Sequence, residues 1–335
     1  MFQHFGAQSP LIHARSSRPI GLLFGVIFGL ETFATTALAS PSITSLEQGY
    51  ALGAIQNARS VAMSGAEAAL GISTTALFSN PANMAIARVY HAEASAGYSP
   101  EARRQSYSGA IVDSMSSRMA GGIGGAWNLL DPDGVKRRWI DGRAGLAFAL
   151  GDMVAIGAAG RFVWLEQSTG TGPFGPSLAA DGLPGRPILT RFTFDAGMTI
   201  SPTPSLRIAG VGHNLTNSKL GMLPMSAGGG IGFTSSQVNL EANVLADFAT
   251  WGKPKALLMA GGEVFLGGHF PLRAGYRYDD GGKIHSLSAG LGYVDRVWGI
   301  EVGARRDIVA KAPMTILSLS IRYFYDGGQP ANAGR

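Results

Sequence analysis

The sequence predicts an all-β protein, a 14-stranded antiparallel transmembrane β-barrel, and three observations lead to this fold class. From position 88 onward, successive short runs alternate apolar and polar residues, the period that puts apolar side chains on one strand face. The connections between these runs are short and long in turn. Finally, 48 residues are glycine and only 15% are charged, against roughly 25% charged residues in soluble domains.

The faces of individual runs show the alternation. In the last run, 314–325, every second residue from Leu317 to Tyr325 is large and apolar, with mostly small or polar residues between them. In 238–248, the face opposite the apolar residues carries Glu241 and Asp247. Alternation alone also fits the strands of a soluble sandwich, whose apolar faces point inward. The even number of runs, and lengths near the ~9–11 residues of a tilted membrane strand, favour apolar faces that point outward to lipid.

The connection lengths give an independent indication. Short connections at 151–152, 201–204, 234–237 and 294–296 alternate with longer ones at 129–138, 167–188, 214–224 and 306–313. Outer-membrane barrels place short turns on the periplasmic side and longer loops outside. Strand parity puts the short set on the same side as both termini. The longest loop, 167–187, is rich in Gly and Pro and is predicted to be a surface contact or lid.

The amino end has the features of an export signal. Arg15 and Arg18 precede the apolar run 20–30, and Ala37-Leu38-Ala39 follows as a cleavage site. This run is too short for a permanent transmembrane helix, which needs ~20 residues. We therefore expect 1–39 to be a removed signal peptide and the mature protein to reach the outer membrane of a Gram-negative cell, in contact with its lipid.

Signals for catalysis, metals and nucleic acid are weak. The chain has 0 Cys, and its 6 His show no metal-ligand spacing. His91 and His285 are predicted to face the lumen. The 170–175 segment matches G-x-G-x-x-G, but Pro173 interrupts it and no helix follows, so the nucleotide-binding context is missing. The net charge of +5 is modest and no basic block occurs. We expect no enzyme, no cofactor, no metal site and no nucleic-acid partner.

The segment 45–87 differs from everything after it. It is rich in Ala, lacks a period of two, contains Gly65 and reaches the turn Asn80-Pro81-Ala82. An ordinary segment packed on a sheet is one interpretation. In its place between a signal peptide and a strand series, it resembles the amino-terminal hatch of the FadL-type outer-membrane family, and PorV/PorQ-like barrels open similarly. The resemblance implies that 40–87 is a plug with short helices inside the barrel 88–325, that Asn80, Pro81 and Ala82 form its final turn, and that 326–335 is a periplasmic tail.

Two functions follow from the resemblance. The runs 194–198 (FDAGM) and 272–276 (LRAGY) are similar to PorV/PorQ-like proteins in particular. A FadL-like role implies passive transport of small hydrophobic molecules across the outer membrane, with the hatch turn as hinge. A PorV-like role implies a component or anchor of an envelope-spanning secretion, motility or surface-attachment complex. The partner is accordingly a hydrophobic small molecule or an envelope protein.

Charged residues at predicted lumen positions are the remaining candidates. Mixed charges inside a barrel either form internal ladders that anchor the plug or line a selective path. The residues chosen for such a path are Arg161, Arg191, Asp195, Glu241, Arg273 and Arg305.

Overall fold

A computed structural model of the chain describes residues 55–130, 137–167, 187–216, 223–251 and 253–325. The strands in these ranges are β1 Tyr90–Ser99, β2 Arg104–Asp113, β3 Met119–Leu130, β4 Arg137–Leu150, β5 Val154–Gln167, β6 Pro187–Thr203, β7 Leu206–His213, β8 Ser226–Thr234, β9 Val238–Asp247, β10 Lys255–Leu266, β11 Phe270–Asp279, β12 Ile284–Val294, β13 Trp298–Val309 and β14 Thr315–Tyr325. They form one closed barrel in which every strand pairs with its neighbours in sequence. β1 and β14 close it in antiparallel register, from Tyr90 opposite Tyr325 to Tyr98 opposite Leu317. The predicted fold class is confirmed.

The barrel is apolar outside and polar inside, as a membrane-spanning barrel requires. On β14, Leu317, Leu319 and Ile321 are 40% to 56% exposed, whereas Ser320 and Arg322 between and beside them are at most 8% exposed. A soluble sandwich would show the opposite order. The apolar residues of the alternating pattern therefore point outward.

The two rims of the barrel differ. One rim, here called the short-turn rim, carries the turns 151–153, 204–205, 235–237, 267–269 and 295–297 together with the barrel ends Tyr90 and Tyr325. The opposite rim is called the long-loop rim. Large aromatic residues are exposed near both, for example Trp127 near the long-loop rim and Trp298 near the short-turn rim. Such aromatic belts mark the two membrane interfaces of transmembrane barrels.

Two strands and one side chain depart from expectation. β6 continues through the predicted turn to Thr203, and β13 continues past Arg305 to Val309, which shortens the loop that follows. The expectation that His285 faces the lumen is wrong. His285 shares the outer face with exposed Leu287, and its Nδ1 lies 2.6 Å from the hydroxyl of Tyr276.

The residues before the barrel form short helices. Helix α1 spans Ala58–Ala62, helix α2 spans Ser73–Ser79, and a 3₁₀ helix spans Pro81–Ala85. Asn57 caps α1 by accepting a hydrogen bond from the Ser60 N–H at 2.8 Å. No helix in the described part of the chain is long and apolar enough to cross a membrane. The predicted signal peptide, the loop 168–186 and the tail 326–335 lie outside the described residues, and the predicted domain limits stay predictions.

Candidate functional site

The short helices lie inside the barrel and contact its inner wall, so the interior is a plug surrounded by strands. We call 57–70 the first plug half and 73–85 the second. Helix α1 packs against β11 to β14, and the second half packs against β1 to β6. Apolar clusters join each half to the wall, with Leu70 against Val211 in the first and Leu77 against Ala147 and Ala159 in the second.

The first plug half is held by buried charges. The guanidinium of Arg59 lies 3.3 Å from a carboxylate oxygen of Glu67 and 3.7 Å from one of Glu263 on β10. Ser60 donates its hydroxyl hydrogen to Glu67 at 2.6 Å. Arg59 and Glu67 are the only charged residues between 55 and 87. That isolation in an Ala-rich segment is the sequence signal that could have identified them as a pair.

The wall continues this network, which we call the charge cluster. Arg273 is paired with Glu263 and lies 2.5 Å from Glu301. Arg322 lies 2.9 Å from Glu301 and 3.2 Å from Glu93. Arginines and carboxylates alternate across β1, β10, β11, β13 and β14, and all of them are buried. Because isolated charges are costly to bury, each of these groups lies beside one of opposite charge where the first plug half docks.

Glu241, predicted to border a path through the lumen, contacts the plug from β9. Its two carboxylate oxygens accept hydrogen bonds from the backbone N–H groups of Ala69 at 2.6 Å and Leu70 at 3.0 Å. Those N–H groups lie in the turn 68–70, where they make no helical hydrogen bonds. A carboxylate with two N–H donors is a strong, directional anchor. Glu241 therefore fastens the end of the first plug half to β9.

The turn Asn80-Pro81-Ala82 is the polar centre of the second half. The Asn80 amide donates to the Ala68 carbonyl at 2.7 Å and to the Thr199 hydroxyl at 2.9 Å, and its carbonyl accepts from the Ala82 N–H at 3.1 Å. Asn83 also donates to the Ala68 carbonyl, at 3.0 Å. Pro81 begins the 3₁₀ helix, where its missing N–H has no cost. The turn thus ties the two plug halves to β6.

Inward-facing glycines let the plug lie directly against the wall. A Cβ on Gly157 would lie 2.5 Å from the Ala82 nitrogen, and one on Gly275 would lie 2.7 Å from the Met63 carbonyl carbon. A Cβ on Gly197 would collide with the Asn80 side chain. We call these positions the glycine seat. Other members are Gly145, Gly232, Gly261, Gly290 and Gly303.

A second set of charges lies on β4 to β6. Arg143 lies 2.9 Å from Asp195 and donates to the Phe78 carbonyl of the plug at 3.0 Å. Arg161 lies 2.5 Å from Asp141 and donates to the Asn214 side chain at 2.9 Å. The predicted residues Arg161 and Asp195 therefore lie in one network. Asp141 contacts both Arg161 and Arg143, and Arg143 pairs with Asp195.

The other predicted lumen residues divide in two. Arg273 and Arg305 are buried on β11 and β13. Arg191 is exposed near the long-loop end of β6, and its guanidinium donates to the Thr190 carbonyl at 3.1 Å.

Toward the long-loop rim, three large apolar side chains lie side by side on the inner wall. Trp139 on β4 is opposite Leu165 on β5, which is opposite Leu189 on β6. All three face inward near the long-loop rim and are at most 6% exposed. We call them the apolar row. Among the described residues, no cluster of three His, Asp or Glu could hold a metal ion.

Comparisons with known proteins agree with this architecture. No protein-family profile and no curated protein sequence matches the chain. A crystal structure of a Pseudomonas aeruginosa FadL homologue superposes with a TM-score of 0.60 at 15% identity, over 81% of this chain and 99% of that one. The chain has a FadL-type barrel fold. The Ralstonia pickettii toluene transporter TbuX gives a TM-score of 0.58 at 15% identity, over 81% and 98% of the two chains. The CymD monoaromatic hydrocarbon channel gives 0.58 at 14% identity, over 80% and 96%. The PorV/PorQ-like part of the resemblance stays a prediction.

Proposed function

We propose that this barrel carries small hydrophobic molecules passively across the outer membrane. Two solved structures with the same fold are described as a toluene transporter and a monoaromatic hydrocarbon channel. The observation that carries the proposal is the apolar row. Trp139, Leu165 and Leu189 form a packed apolar layer on the inner wall of a barrel whose interior is otherwise lined mainly by polar groups, and binding sites for apolar ligands are lined mainly by apolar side chains.

The proposed path runs from the apolar row toward the short-turn rim. Below the row it meets the charges around Arg161 and Asp195, and then the plug. In this proposal the turn Asn80–Ala82 is the hinge of the plug. Glu241 anchors the end of the first plug half to β9. Arg191, Arg273 and Arg305 border the path at different heights. The chemistry is binding and passage, without a catalytic step.

The location belongs to the same proposal. An outer surface of exposed apolar residues between two aromatic belts fits a bilayer, and the likeness to FadL-type barrels supports the outer membrane as that bilayer. The protein should then fractionate with outer membranes and migrate faster on gels when it is not heated. Recovery in a soluble periplasmic fraction would disprove the location.

Uptake of radiolabelled toluene tests the transport role. Cells that produce the protein should take up the label faster than cells without it, and Leu165→Asp should reduce that difference because it puts a charge into the apolar row. Arg296→Ala, an exposed position in the turn 295–297, serves as the control and should leave uptake unchanged. Equal uptake with and without the protein, together with an envelope protein that co-purifies, would favour the role in an envelope-spanning complex instead.

A further inference from the structure

A cavity of about 320 Å³ opens at the short-turn rim, where the plug leaves the barrel. Ala85 and Ile86 from the end of the plug form one side, and Ala120, Ala149 and Ala155 from β3, β4 and β5 form another. The lining is therefore apolar at its base. The volume lies at the lower end of the roughly 300–1,000 Å³ typical of ligand sites, which limits an occupant to one ring or a short chain.

The mouth of this cavity is charged. Its lining includes Arg88, Arg118 and one carboxylate, Asp152. Arg88 donates to the Met115 carbonyl at 2.7 Å, so part of its guanidinium is already used. Within the described part of the chain, no hydrogen bond or ion pair engages Arg118.

The nearest acid in the adjoining turn does not neutralise Arg118. Asp113 accepts hydrogen bonds from the N–H groups of Met115 at 2.8 Å and Ser116 at 3.1 Å, and from the Ser116 hydroxyl. It is occupied in shaping the turn. The Asp113 carboxylate also attracts Arg88, so Arg118 is the cation at the mouth that no carboxylate of the described residues engages.

We propose that this cavity binds a small apolar molecule that carries a carboxylate. The apolar body lies against Ile86 and the alanines, and the carboxylate accepts two parallel hydrogen bonds from Arg118, the geometry that a guanidinium offers to a carboxylate. Asp152 is the group at the mouth that a cationic ligand would contact instead. This inference rests on the proposed function only in treating the cavity as the end of the transport path.

Ligand-detected fluorine NMR on the full chain in neutral detergent tests the site. The probe is 4-(trifluoromethyl)benzoate, and the matched neutral probe is 4-(trifluoromethyl)benzamide, which has nearly the same shape and no charge. We expect the benzoate to bind more tightly. Arg118→Ala should weaken benzoate binding by about tenfold, the size of a lost charge-assisted hydrogen bond, and should leave benzamide binding unchanged. Arg118→Lys should restore part of the loss.

Two controls separate this site from general effects. Ala149→Phe fills the cavity from a position exposed to it and should weaken both probes, while Arg296→Ala on the same rim should weaken neither. Each variant is first shown to fold by its heat-dependent migration. Equal binding of the two probes, or equal losses in Arg118→Ala and Arg296→Ala, would overturn the inference. Such a result with toluene uptake intact leaves the proposed function standing, whereas selective benzoate binding without toluene uptake supports the site and contradicts the transport role.

Discussion

The two plug halves are held in the same barrel by different physics. The first half carries a buried ion pair and binds carboxylates of the wall, with Arg59 against Glu263 and the Ala69 and Leu70 N–H groups on Glu241. The second half carries no charge between 73 and 85. It is held by the amide of Asn80 and by close contact with glycines such as Gly157. The charged groups that reach it belong to the wall, where Arg143 donates to the Phe78 carbonyl and Glu93 accepts from the Thr74 hydroxyl.

The difference has a physical consequence. Hydrogen bonds to a carboxylate are strong and directional but can be exchanged for water once a gap opens. Close packing on glycine has no such substitute, because a displaced backbone loses its contacts outright. We therefore expect the first half to depend on charge balance and the second on shape.

The absence of cysteine provides a way to measure each half separately. With 0 native Cys, one introduced thiol is the only target for a membrane-impermeant maleimide. Ala66→Cys reports on the first half and Ala76→Cys on the second, since both alanines are 0% exposed. The labelling rate rises with the fraction of time that the half is undocked.

Arg59→Met should have the largest effect and should act on the first half. It leaves the Glu67 carboxylate buried with only the Ser60 hydroxyl as partner, and breaking a buried pair costs about 3–5 kcal/mol. Labelling at Ala66→Cys should rise much more than labelling at Ala76→Cys. Arg138→Met is the control, because Arg138 is half-exposed and its pair with Glu166 contributes about 0–1 kcal/mol.

The double variant Arg59→Met with Glu67→Leu sharpens this result. It removes both buried charges, so labelling should return most of the way to the parent rate. If the double variant labels as fast as Arg59→Met alone, the charge-balance account of the first half is wrong.

Gly157→Ala should be next in size and should act on the second half. The added Cβ would lie 2.5 Å from backbone atoms of Pro81 and Ala82, so the turn must shift, and overpacking costs about 1–3 kcal/mol. Labelling at Ala76→Cys should rise while the barrel keeps its heat-dependent migration. Gly142→Ala, where a Cβ meets nothing within 4 Å, is the matched control in the neighbouring strand. Equal rates in the two variants would contradict the shape account.

Asn80→Ala should have a smaller effect than Gly157→Ala. It leaves the Ala82 N–H without its acceptor and the Thr199 hydroxyl with one partner fewer, at a cost of about 1–2 kcal/mol. Asn83 donates to the same Ala68 carbonyl, so a double-mutant cycle between Asn80→Ala and Asn83→Ala should show coupling. Additive rates would mean that the two amides act independently.

These contrasts also separate what the sequence could predict from what it could not. The alternation predicts all fourteen strands, because each strand repeats the same simple period, and it predicts the inward faces of strands such as β9 and β14. It assigns His285 on β12 to the wrong face. It misses the last four residues of β13, 306–309, since Arg306 and Asp307 interrupt the pattern there. Asp307 is nevertheless built into the barrel, where it accepts a hydrogen bond from Ser286 at 2.7 Å.

The candidate site was predictable only in part. The turn at Asn80 has a local motif, and lumen positions such as Glu241 follow from strand parity. What Glu241 binds does not follow, because its partners Ala69 and Leu70 are backbone groups more than a hundred positions away in sequence. The glycine seat has a signal as well, namely glycine at inward positions such as Gly197, but the sequence does not state which plug atom fills the space.

Ser288→Ala should have the smallest effect and completes the comparison. Ser288 donates its hydroxyl hydrogen to the Ala62 carbonyl at 2.7 Å, and its oxygen lies 2.8 Å from the Ser64 hydroxyl. These are neutral contacts in the half that we attribute to charge, and a neutral hydrogen bond contributes about 0.5–1.5 kcal/mol net. Labelling at Ala66→Cys should therefore rise slightly in Ser288→Ala and far less than in Arg59→Met. Ser288→Ala leaves the charge balance between Arg59, Glu67 and Glu263 undisturbed. A rise as large as that of Arg59→Met would therefore mean that the hydroxyl contacts of β12, rather than the charge cluster, position the first half.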